Sequence, residues 1–167
     1  MELKQTIENL NFPNKYQDVI NKIDLNKTND FVKAMLNTIV KKYGISNVGS
    51  EIRFDNSNSK VSTHLTHIIE VGGLKIISDN NLNIDDKNNF QNIIVAVALV
   101  LNCSLAIELK NLKIYDGRSS NYYNNDALLT IVQRLANHTI SGMSYSNGFE
   151  HHATLMIMNN LVSQLTD

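Results

Sequence analysis

Apolar residues recur at helical spacing along most of the chain. Leu3, Ile7 and Leu10 lie on one helix face, and Pro13, which lacks the N–H a helix interior needs, ends that run. Tyr16, Val19, Ile20 and Ile23 form a second amphipathic set. Phe31, Val32, Met35, Leu36, Ile39 and Val40 form a third and clearer one. Asn29 or Asp30 is placed to cap the start of the third helix, and Gly44 to end it. Residues 46–60, rich in Ser and Asn, read as a loop or short hairpin.

Residues 61–78 fit two periods. Leu65, Ile68, Ile69, Gly72 and Ile76 make a helix face, whereas Val61, Thr63, Leu65, His67, Ile69 and Val71 alternate as in a strand. The β-branched content and the Gly72-Gly73 pair favour a hairpin on propensity alone. Asp85-Asp86 are placed in the first turn of a long helix running to about Lys110, where carboxylates complement the helix dipole. A polar connector over 115–126 leads to a helix carrying Leu128, Leu129, Val132, Leu135 and Ala136, capped by Asn125 or Asp126. After a break at 141–148, a last helix carries Leu155, Met158, Leu161, Val162 and Leu165. The expected class is mostly α, in one compact domain spanning 1–167, with N-terminal helices over 1–45 and the remainder over 46–167. No internal repeat or linker divides it.

Composition narrows the function classes. With 167 residues and 43% hydrophobic positions the chain can bury a real core. The formal net charge is -1 and no basic run is present, so a nucleic-acid or membrane surface is not expected. Asparagine is over-represented at 25 residues but is interspersed with periodic apolar positions, so it reads as genome composition on a folded domain rather than a low-complexity tract. Cys103 is the only cysteine, so no intrachain disulfide can form; a reducing, cytoplasmic setting is expected. The N-terminal segment lacks the apolar core of a signal peptide. Residues 93–107 are the most apolar stretch, but they fall short of the roughly 20 residues a membrane span needs and read as a buried core helix.

Two segments carry candidate chemistry. Thr63, Leu65, Thr66, His67, Glu70 and Val71 match one signature of the dGTP triphosphohydrolases, a branch of the HD-domain metal phosphohydrolases. Gly148, Phe149, Glu150, His151 and Ala153 match another. In order and separation the chain from about residue 50 onward resembles that family. The resemblance implies an HD-like helical domain, with His67 at a metal-ligand position and Glu70, Glu150 and His151 beside a ligand. It also exposes a departure. Where the family has its His-Asp pair this chain has Leu101-Asn102, and Ser104-Leu105 replace the Gly-His that follows. Two arginine positions are occupied by Ser62 and His64, and the family's last metal-binding aspartate lies beyond the matched region. Such a site uses imidazole and carboxylate ligands to hold a divalent metal that acidifies a water. Leucine has no donor atom, and an asparagine carbonyl is a poorer ligand than a carboxylate. The resemblance therefore implies a non-catalytic relative that binds a partner protein, a second copy of itself or a nucleotide. No cofactor is expected; a divalent metal would be required only if the HD site functioned.

Two other patterns point elsewhere. His64-Leu65-Thr66 and His152-Ala153-Thr154 each fit the H-x-T motif of the 2H phosphoesterases, in which two histidines act as base and acid and two hydroxyls hold phosphate. In that arrangement His64, Thr66, His152 and Thr154 are catalytic, no metal is needed, and cyclic or 2′,5′-linked nucleotides are the substrates. Residues 30–112 also resemble a GAF-like sensory or dimerisation module, with a strand near 48–55 and a hairpin across Gly72-Gly73. Both alternatives imply an α+β fold. Plainer readings exist for the same residues. Adjacent His151 and His152 diverge by about 100° on a helix and cannot easily share an ion. Glu70 fits a solvated face, His138 a helix end, and Met156 and Met158 core filler.

Overall fold

In the computed structural model, which describes residues 2–48, 51–54, 58–86, 88–111 and 114–115, the first two apolar runs fold as α1 (Glu2–Leu10) and α2 (Asn14–Ile20). Leu3, Ile7, Leu10, Tyr16, Val19 and Ile20 are all buried, as their spacing predicts. Asn11 takes a left-handed φ of 54° just after α1, a conformation asparagine tolerates better than other non-glycine residues. Pro13 then leads into α2, its carbonyl accepting the N–H groups of Tyr16 and Gln17.

Helix α3 (Leu25–Tyr43) begins several residues before the Phe31 set. Its cap is Asp24, whose Oδ1 accepts the Lys27 N–H at 3.1 Å and whose carbonyl accepts the Thr28 N–H and hydroxyl. Asn29 and Asp30 therefore lie inside the helix and do not cap it. The cause is burial: Thr28 and Asn29 face the core, so the helix has to start ahead of them. Gly44 does follow its last residue.

A hairpin comes next, beginning two residues before the segment 46–60 read as loop or hairpin and overlapping it. β1 (Gly44–Val48) pairs antiparallel with β2 (Glu51–Phe54), with an irregularity between Gly44 and Ser46. The two-residue strand β3 (Ile114–Tyr115) adds to β2 in parallel, giving the order β1-β2-β3.

Residues 61–78 are helical throughout, inside α4 (Asn58–Asp79). This removes the strand alternation and the Gly72-Gly73 hairpin on which the 2H-like and GAF-like alternatives depended. Tertiary packing overrides the β-branched propensity. A Cβ on Gly72 would lie 2.9 Å from Leu101 Cδ2 and 3.1 Å from Phe31 Cε1, so glycine here admits a close approach of three helices rather than a turn. The helix ends in a Schellman arrangement. Asn81, at φ 52°, sits in the left-handed position, the Leu82 N–H bonds the Ile77 carbonyl, and the Asn81 N–H bonds the Ser78 carbonyl.

The last described helix, α5, runs Phe90–Asn111. Asp85 and Asp86 precede it rather than occupying its first turn. They belong to the connecting loop, where Asn83 Oδ1 accepts the Asp85 N–H and Asp86 Oδ1 accepts the Asn88 N–H. From Val95 to Leu109 every residue of α5 is buried except the half-buried Ala98. α1, α2, α3 and α4 all pack against it, and their buried residues form one continuous core with it. The chain is thus mostly helical, and residues before and after position 45 share one interior. Among the described residues no helix is long and apolar enough to cross a membrane. The helices read over 128–136 and 155–165 and the connector beyond Tyr115 lie outside the described residues.

Neighbouring glycines in α4 give opposite expectations. A Cβ on Gly73 meets nothing closer than 3.8 Å, so Gly73→Ala gains helix propensity of about 1 kcal/mol. Gly72→Ala forces apart side chains in a packed core, which costs about 1–3 kcal/mol. Urea denaturation should find Gly73→Ala the more stable of the two, and equal stabilities would contradict the close approach at Gly72.

Candidate functional site

Helices α4 and α5 form an antiparallel hairpin. Gly72 lies against Leu101, and Gly73 against Val97 and Leu101. The residues just after α4 and Ile93 near the start of α5 line one cavity, which fixes the direction. This hairpin carries the residues that the HD resemblance singles out.

It does not bring them together. His67 is exposed on α4, while its neighbour Ile68 is completely buried. His67 stands five residues before Gly72, roughly 140° around the helix axis from the side that meets α5. Leu101 and Asn102, at the positions of the His-Asp pair, are 1% and 4% exposed. Asn102 Nδ2 donates to the Ala98 carbonyl of its own helix at 2.8 Å. Ser104 Oγ donates to Asn29 Oδ1 on α3, also at 2.8 Å, in the buried interior. The segment that would hold a metal is thus packed core, its polar groups bonded within the protein. Among the described residues no group of three or more His, Cys, Asp or Glu is placed to hold a metal ion.

His64, Thr66 and Glu70 also fall on α4. Positions 64 and 66 are about 200° apart around a helix, whereas on a strand they would share a face. The paired-strand geometry required for the H-x-T arrangement is therefore missing at that motif. Glu150, His151, His152 and Thr154 lie outside the described residues. Cys103 is fully buried, and desolvation pushes its thiol up to about 12, so it stays protonated and behaves as a small core residue.

A polar cluster that the motifs did not indicate ties α3 to α4. Asn80 Oδ1 accepts the Asp24 N–H at 3.1 Å, and Asn80 Nδ2 donates back to the Ile76 carbonyl at 2.9 Å. Asp79 pairs with Lys75 at 2.9 Å and with Lys27 at 3.6 Å. The i,i+4 spacing of Lys75 and Asp79 is the one part of this cluster visible in the sequence. These contacts join the N-terminus of α3 to the C-terminus of α4, and their geometry is structural.

No protein-family model, curated protein or solved structure matches the chain. The described residues form a mostly helical domain packed around the buried helix α5.

The Lys75 hydrogen bond holds the Asp79 carboxyl below its ordinary range; partial desolvation opposes this, and the charges of Lys27 and Lys75 reinforce it. A lowered native pKa stabilises the fold above the unfolded pKa, and that stabilisation is lost as pH falls through the native value. Asp79→Asn should therefore melt below wild type at neutral pH and low salt, with the gap closing as pH drops below about 4. Added salt should shrink the gap, because the pair is exposed. A gap that stayed constant from neutral to strongly acid pH would remove Asp79 from this role.

Proposed function

We propose that this chain is a non-catalytic, HD-like helical protein related to the dGTP triphosphohydrolases, acting in the cytoplasm by binding a partner protein or a nucleotide. One observation carries the non-catalytic part: the position of the His-Asp pair is a close-packed contact between Leu101, Gly72 and Phe31. A divalent ion needs several converging donors and an open coordination position for water. An apolar contact at van der Waals distance offers neither, and the exposed His67 alone is a weak ligand. The order of the helices is compatible with the ancestry, since the His67 segment and the Leu101-Asn102 segment fall on consecutive antiparallel helices. The lone buried cysteine accords with a reducing compartment.

Purified protein titrated with Mn²⁺ should show no stoichiometric uptake by calorimetry or elemental analysis, and no release of triphosphate from dGTP. Stoichiometric uptake together with dGTP hydrolysis, both lost in His67→Ala, would overturn the proposal.

A further inference from the structure

We draw no further inference here: the strongest candidate, the outward face of α4 where Leu74 stands 73% exposed one turn after the half-buried Val71, is an apolar surface patch, and nothing among the described residues shows what covers it.

Discussion

A helix with no polar side has to be covered on every side, and the described fold follows from meeting that requirement for α5. Its residues from Val95 to Leu109 offer no face to water beyond the half-buried Ala98. Burying one large apolar side chain is worth about 1.5–3 kcal/mol, so the eight on this stretch outweigh the surface ion pairs among the described residues. Four amphipathic helices supply the cover. The approach at Gly72 is possible because glycine leaves room for Leu101 and Phe31. The three polar side chains on this stretch, Asn102, Ser104 and Glu108, lie on an otherwise apolar rod. Two of them have internal partners: Asn102 bonds its own helix and Ser104 bonds Asn29.

The same constraint bears on chemistry. A metal phosphohydrolase site needs an opening at the point where imidazole and carboxylate groups converge. Under the HD-like reading proposed above, that point is the close-packed contact of Leu101 with Gly72, and Cys103 beside it is sealed from solvent. A protein can retain the helices of such a domain while losing its centre, because side-chain volume at Leu101 stabilises the core whether or not a metal was ever held there. The proposed non-catalytic role takes its physical sense from this exchange of a polar cavity for apolar packing.

Much of the helical framework was legible because amphipathic spacing is a local property. α1 and α2 follow directly from Leu3, Ile7, Leu10 and Tyr16, Val19, Ile20. The start of α3 was not legible, because Thr28 and Asn29 are polar residues that the fold buries; the partner of Asn29 becomes apparent only when Ser104, 75 residues away, is brought alongside. α4 could not be told from a strand by composition, since β-branched residues and a glycine pair suit a hairpin as well as a tight helix crossing. Asp85 and Asp86 suited a helix start by charge, yet their side chains or neighbouring amides serve the loop turns instead. That Leu101-Asn102 stand where the resemblance would have a His-Asp pair could be read residue by residue. That His67 points away from Leu101 could not, because it depends on which face of α4 meets α5. The link from Asn80 to Asp24, across 56 residues, carries no sequence signature at all.

The central claim is that Leu101 fills the space against Gly72 and, under the proposed HD-like reading, thereby closes the position of that family's metal centre. A double-mutant cycle measures this directly, with Gly72→Ala and Leu101→Ala singly and together, followed by urea denaturation. Gly72→Ala is expected to destabilise the wild-type background but to be neutral or stabilising once Leu101 is truncated, giving a coupling of about 1 kcal/mol or more. Equal destabilisation by Gly72→Ala in both backgrounds would show that the two positions do not meet, and would contradict the closed core.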